Sequence, residues 1–479
     1  MDSSNSTSAN LHVAILSSPG MGHLIPVVLL SNRLATHHCV TVTVLRVTTT
    51  VSPPESNLLK IPLHPLVNIL ELPPADISHL VDSSAKIVTQ LCLMVRVSLP
   101  SIRSAMTNRR PHALFVDLFS TEALPIAAEF NIPNYVYVPS NAWFTALLAY
   151  SPILHQQFSE EYVNQTDPIR IPGCKPVRPE DLVDPMLDQK DQQYDEYLKI
   201  GENIPSSDGI LINSWVDLEP ETLQAFAENR SVINILVYPV GPLVRESKPD
   251  HRSSELVQWL DRQPDESVVL ASFGSGGVLP QKQMTELAWG LELSRQRFVW
   301  VVRRPTGGPV DNAFLRVTNG GEGEDSKPDY LPEGFLTRTK DVGFLVSNWA
   351  PQAEILSHPA VGGFVSHCGW NSTLESIASG VPLIAWPLYA EQRMNAALLA
   401  EEVGVALRPR ALATSEVVGR EEIEAMVKAL MEGEEGGRLR EKAKQLKKSG
   451  AESLKHGGPS YISMCDLLAK IASINNVIS

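Results

Sequence analysis

The chain carries little positive charge for its size: 40 Lys and Arg stand against 54 Asp and Glu, a formal net charge of −14 over 479 residues. No basic run offsets that balance. This argues against nucleic acid as a partner and gives the surface no attraction for anionic membranes. Long apolar runs are also missing, and none approaches the roughly 20 residues a membrane span requires. The first ten residues, MDSSNSTSAN, have neither the basic start nor the apolar centre of a secretory signal. Cysteine is scarce: Cys39, Cys92, Cys174, Cys368 and Cys465 are odd in number, scattered and without metal-ligand spacing. Reduced thiols in a cytosolic protein are the expectation. Common phosphate motifs are absent. The Gly-X-Gly-X-X-Gly fingerprint fails at Gly20-Met21-Gly22, which meets Ile25, and at Gly274-Ser275-Gly276, which meets Leu279. That counts against a nicotinamide dehydrogenase. Gly-Lys-Ser/Thr is missing as well, which sets the common NTPases aside, and there is no Asp-X-Asp metal motif.

What is present is an α/β pattern on a length that suits two domains. In the first half, the apolar run His12–Ser17 closes on SPGMGH and an amphipathic stretch follows to about Ala35. Strands are expected at 40–47, 113–117, 135–138 and 209–213, with a helical segment at 122–130. A polar connector, 241–254, precedes a second series: strands at 268–273, 298–302, 344–347, 362–366 and 383–385, with a helix over 281–294. Such alternation reads as parallel sheets covered by helices on both faces. The expected domains are 1–245 and 246–458, with a final helix (459–479) docking back on the first through Ile462, Leu467, Leu468 and Ile471. The Gly-, Pro- and Asp-rich stretch 304–332 reads as a loop.

The richest chemistry lies in 349–392. A strand runs into His367-Cys368-Gly369-Trp370, and Asn371-Ser372-Thr373-Leu374-Glu375 opens a helix with Asn or Ser as a natural N-cap. Free amides of a first helical turn attract a diphosphate, Gly369 lets the backbone approach and His367 adds a donor. Glu375, one turn beyond Ser372, suits a ribose diol. Trp349, before Ala350-Pro351, can stack on a base, and Gln352 can bond to ribose. Glu391 and Gln392 can pair with sugar hydroxyls, and Trp370 can pack on a hexose face. Taken singly these are ordinary core tryptophans and helix caps. As an ordered set they describe a grip on a nucleotide sugar.

Transfer of that sugar to a hydroxyl needs a base. His23 opens a helix directly after a strand, and Asp117 ends another strand of the same half. An imidazole can take the proton and a buried carboxylate can hold its other nitrogen. Spacing alone leaves a second reading open, with His23 capping its helix and Asp117 closing a turn. Met21, Leu118, Phe119, Trp143, Phe144, Leu182 and Tyr389 are candidate walls for a flat apolar acceptor, though each alone reads as core.

Segment 349–392, together with HVAILSSPGMGHLIPV near the start, strongly resembles the plant secondary-product glycosyltransferases over nearly the whole chain. That resemblance implies the two-Rossmann GT-B architecture, with parallel sheets facing across a cleft, and a UDP-sugar donor. It assigns Trp349 and Gln352, with Ala350 beside them, to uridine and Glu375 to ribose. His367, Asn371 and Ser372, with Gly369, fall to the diphosphate, and Trp370, Glu391 and Gln392 to the sugar. Ser275 falls where the family contacts phosphate or sugar, and a final Gln such as Gln392 is usual for glucose. His23 and Asp117 match the family's catalytic pair. The implied reaction is inverting transfer from UDP-glucose to small phenolic or indolic acceptors, with no metal and no cofactor beyond the donor. A monomer is expected. N-glucosylation of anilines is an alternative activity, and a non-catalytic nucleotide-sugar binder is the alternative of another class.

Overall fold

The computed structural model describes residues 11–49, 61–82, 84–228, 235–245, 255–305, 330–347, 349–411, 413–414 and 416–478. Most of the expected loop at 304–332, and the connector from 246 onward, lie outside these residues. The chain divides into two compact units, Met1–Leu243 with Gly450–Ser479, and Val244–Ser449. The returning segment thus begins at Gly450, within the helix Glu434–Leu454, rather than at Pro459.

The first unit is built on seven strands: β1 (His12–Ser17), β2 (Thr41–Arg46), β3 (Val67–Glu71), β4 (Ala113–Asp117), β5 (Asn134–Val138), β6 (Ile210–Ile212) and β7 (Val237–Pro239). All pair in parallel, in the order β3-β2-β1-β4-β5-β6-β7. The central strands are apolar on both faces because helices cover both, as the near-continuous runs of Val, Leu and Ile require. Val13, Ile15, Val42, Val44, Phe115 and Tyr137 pack with Leu24, Val27 and Leu34 of the helix Met21–His38. The helix Pro459–Ile478 adds Met464, Leu467, Leu468 and Ile471 to the same core. Ile462 does not share that face. It is 48% exposed, because position 464, not 462, lies one helical turn from Leu467 and Leu468.

The second unit holds β8 (Val268–Ser272), β9 (Arg297–Val302), β10 (Gly343–Ser347), β11 (Val361–Ser366), β12 (Leu383–Ala385) and β13 (Ala406–Leu407). These are again parallel, in the order β10-β9-β8-β11-β12-β13. Val269, Ala271, Phe298, Trp300, Val365 and Ile384 meet Leu287, Leu291, Val427 and Leu430 from the covering helices. Each sheet reverses its winding at one place: between β1 and β4 in the first unit, and between β8 and β11 in the second. Ligands of such sheets bind beyond the carboxyl ends of the strands at that reversal.

Candidate active site

In the first unit the reversal carries His23 and Asp117. Gly20 follows β1 at φ 98°, a conformation that glycine adopts without strain, and serves as the N-cap of the helix Met21–His38. His23 therefore sits in the first turn, its N–H donating to the Gly20 carbonyl at 3.2 Å. Asp117 is the last residue of β4 and is fully buried. The Nδ1 of His23 lies 2.9 Å from Oδ2 of Asp117. The other carboxylate oxygen accepts from Ser18 Oγ at 2.6 Å and from the Phe119 N–H at 3.2 Å. Ser120 Oγ is 3.0 Å from Ser18 Oγ and extends the network. An ionised carboxylate only accepts, so Nδ1 carries the hydrogen and the lone pair of the neutral ring is on Nε2. Phe119 meets the imidazole edge-on, its ring centroid 5.0 Å away.

Met21 and Phe119 are partly exposed beside His23. Leu118, Trp143, Phe144 and Leu182 are buried, so what these four offer is packing within the unit rather than an open wall. Trp143 and Phe144 begin the helix Ala142–Gln157, whose start is held by Asn141 and by the buried carboxylate of Glu219. Tyr389 belongs to the second unit, in the turn after β12.

In the second unit the turns after β8 and β11 stand together at the reversal. The helix Trp370–Ser379 starts two or three residues earlier than an Asn371 or Ser372 cap would allow. Gly369 is its N-cap, with no side-chain capping bond, so Trp370, Asn371 and Ser372 are its first three helical residues. The Cys368 before it is held at φ 63°, where its buried carbonyl accepts from Asn395 Nδ2 at 2.9 Å. His367 is buried between two glycines. A β-carbon on Gly274 would stand 2.5 Å from its Cε1 and Nε2, and one on Gly369 would stand 2.5 Å from Nε2. Burial, then the charge of Arg303, push the His367 pKa down to about 4, while the Ser272 backbone pulls it back upward. Its contribution at neutral pH is therefore that of a neutral imidazole.

Trp349 is 54% exposed, as an indole must be to receive a flat ring, and Ala350 behind it is buried. The amide of Gln352 is already engaged. Its Oε1 accepts from Ser272 Oγ at 3.0 Å, and its Nε2 donates to Ser372 Oγ at 2.9 Å and to Glu375 Oε2 at 2.8 Å. Gln352 thus orients the side chains of Ser372 and Glu375. Burial raises the pKa of Glu375, against the opposing Gln352 hydrogen bond and Arg245 charge. Trp370 is only 3% exposed. Its indole belongs to the interior, and its backbone N–H in the first turn is what it can offer a ligand. Gln392 is buried too, and its Oε1 accepts from the N–H groups of Leu388 and Tyr389 at 2.9 and 3.1 Å, which fixes the side its NH2 faces. Glu391 is the N-cap of the helix Gln392–Ala397, and Ser275 is exposed in the turn after β8.

Two arginines were not singled out in the sequence. Arg303 follows β9, and its Nη1 donates to the Ser275 carbonyl. Arg245 sits in the connector, within electrostatic reach of Glu375. Neither stands in a motif; only the strand order brings Arg303 beside the β8 turn.

Two Rossmann-like units of GT-B type, each presenting polar groups at its winding reversal, define a nucleotide-sugar-dependent glycosyltransferase. The chain belongs to the family described as "UDP-glucoronosyl and UDP-glucosyl transferase", whose model matches residues 231–436. It is 51% identical over 456 residues to anthocyanidin 3-O-glucosyltransferase 5 of Manihot esculenta, covering 94% of this chain and 93% of the relative. It is 42% identical over 464 residues to the hydroquinone glucosyltransferase of Rauvolfia serpentina, covering 96% and 97%. A solved structure of a Polygonum tinctorium UDP-glucosyltransferase capable of glucosylating indoxyl, in complex with 3,4-dichloroaniline, matches with TM-score 0.87 at 38% identity. That match covers 98% of this chain and 99% of the other. The protein is a UDP-glycosyltransferase.

Proposed function

We propose that this enzyme transfers glucose from UDP-glucose to the hydroxyl of a small phenolic or indolic acceptor, with inversion at the anomeric carbon. One observation carries the reading: the His23 imidazole is tied by Nδ1 to a fully buried Asp117 that Ser18 and Phe119 hold in place. That arrangement fixes one tautomer and stabilises the imidazolium formed in the reaction. In the proposed step, His23 Nε2 takes the acceptor's O–H proton as that oxygen bonds to C1 of glucose. The C1–O bond to the diphosphate breaks, and its electron pair leaves with UDP. Attack from the face opposite UDP gives the β-glucoside.

Glucose is favoured by Gln392, whose orientation by two backbone amides leaves its NH2 for a sugar hydroxyl. Hydroxyl acceptors are supported by the relatives named for anthocyanidin and hydroquinone glucosylation, and an indolic one by the Polygonum enzyme. The aniline bound in that last structure favours a second activity, N-glucosylation, at the same site. We propose further that the enzyme works as a cytosolic monomer without a metal. All five cysteines are free thiols, and no helix among the described residues is long and apolar enough to cross a membrane.

The test is an acceptor panel of hydroquinones, indoxyl and anilines with UDP-glucose, read by mass spectrometry and by the anomeric proton coupling of each product. β-Glucosides of the hydroxyl acceptors are expected; α-products would overturn inversion, and UDP binding without transfer would make the chain a binder. Activity should survive EDTA. Its loss to EDTA and recovery with Mg²⁺ would contradict the metal-free mechanism.

A further inference from the structure

We infer that Arg303 is a fixed counter-cation for the donor's diphosphate, an inference that rests on the UDP-sugar reading of the same site. Arg303 lies one residue beyond β9, the strand paired with β8 on the side away from β11. From there its guanidinium reaches the turn after β8 and donates through Nη1 to the carbonyl of Ser275. The imidazole of His367 lies against Gly274 in that turn and against Gly369 at the start of the helix Trp370–Ser379. Arg303 also acts electrostatically on His367 and on Tyr389.

Three sources of positive potential therefore meet around one turn: a guanidinium, an imidazole donor and a helix start with no side-chain cap. These groups disfavour one another's positive charge. Burial lowers the pKa of Arg303, and its charge disfavours protonation of His367. A helix N-terminus also repels a cation. An anion opposes each of these effects by stabilising the positive charge. The diphosphate gains a full negative charge as its bond to C1 breaks, so a cation already in place stabilises the departing group more than the ground state. Its bond to Ser275 also fixes where that turn sits against the phosphates. Arg303 thus has both a binding and a positioning role, and no interaction with the uridine end of the donor is required.

That difference supplies the test. Binding of UDP, UMP and uridine to the full-length enzyme is measured by calorimetry for wild type, Arg303→Gln and Arg303→Lys, with kcat and KM for UDP-glucose alongside. R303Q should weaken UDP by roughly 10–100-fold, as expected of a lost charge-assisted contact, and leave uridine within about twofold. R303K should keep most of the preference for UDP over uridine while lowering kcat, since it retains the charge and loses the planar fork. Equal losses for UDP and uridine, or no loss in a folded R303Q, would overturn the inference and make Arg303 a packing residue. If R303Q does not fold, R303K decides: equal losses of UDP and uridine, or unchanged UDP binding and kcat, would overturn the inference. Failure of wild type to bind UDP would overturn the donor reading itself and this inference with it. Wild-type binding without transfer would sink only the catalytic reading, and the R303Q comparison would still decide the role of Arg303.

Discussion

At the residue scale the chemistry rests on how few atoms are left undetermined around His23. Asp117 receives three hydrogen bonds, from His23, Ser18 and Phe119, while buried from water. Asp117→Asn preserves the shape but replaces an acceptor-only carboxylate with an amide that can present N–H to Nδ1. The wrong tautomer then places the proton on Nε2, the nitrogen proposed to act as base. Steady-state turnover should fall by roughly 10²–10⁴-fold, by analogy with other carboxylate–histidine pairs, with KM for UDP-glucose little changed. A D117N enzyme with wild-type turnover would show the pair to be structural. The pairing of His23 with Asp117 was legible in the sequence because one opens the helix after β1 and the other ends β4. Ser18 and Ser120 were not, since a serine in a turn gives no sign of the carboxylate it will support.

At the scale of elements, the turns after β8 and β11 work by excluding side chains. Gly274 sits at φ 73° with His367 in the space a β-carbon would take, whereas Gly404 has the same φ of 73° and nothing within 4 Å. The two positions separate backbone strain from steric displacement. Gly404→Ala should cost about 1 kcal/mol in urea denaturation, with donor kinetics unchanged. Gly274→Ala should cost the same strain and, by displacing His367, also raise KM for UDP-glucose by about tenfold or more. Equal donor kinetics in the two variants would mean that His367 need not occupy that place. The sequence revealed the strand–turn–helix frame of this region and its glycines. It misplaced the cap by two or three residues, because Asn371 and Ser372 are good capping residues by local preference, whereas Gly369 holds the position. It also set the Trp370 indole toward a sugar, whereas that side chain is buried by packing between elements far apart in the chain. β3, with only Val67 buried in its five residues, and β13, only two residues long, lacked enough apolar pattern to be read as strands.

Over the whole molecule, the order of the strands turned scattered residues into two sites, and it also buried two histidines in a neutral state. His38 in the first unit and His367 in the second both have pKa values lowered from 6.5 to about 4, chiefly by burial. Below pH 6.5 the unfolded chain takes up protons that the folded chain refuses. The stability these groups contribute is thus full above pH 6.5 and is lost as pH falls toward 4, with each histidine accounting for up to about 3 kcal/mol. His38→Phe keeps a ring to stack on Tyr461, which lies 4.8 Å away. Urea titrations at pH 7 and pH 4.5 should show that this variant reduces the acid-induced loss by about 2 kcal/mol; an unchanged loss would show that His38 protonates freely in the folded state. Two α/β units with parallel sheets were readable from alternation alone; the order of their strands was not. The pairing of Arg303 with the β8 turn was not, because it depends on which strands become neighbours.

The central claim is that His23 removes the acceptor proton and takes no part in holding the donor. The direct measurement is UDP-glucose turnover with a hydroquinone acceptor by His23→Ala, beside calorimetric binding of UDP to the same preparation. The account predicts abolished transfer, with UDP affinity within about twofold of wild type. Full transfer by H23A would contradict it.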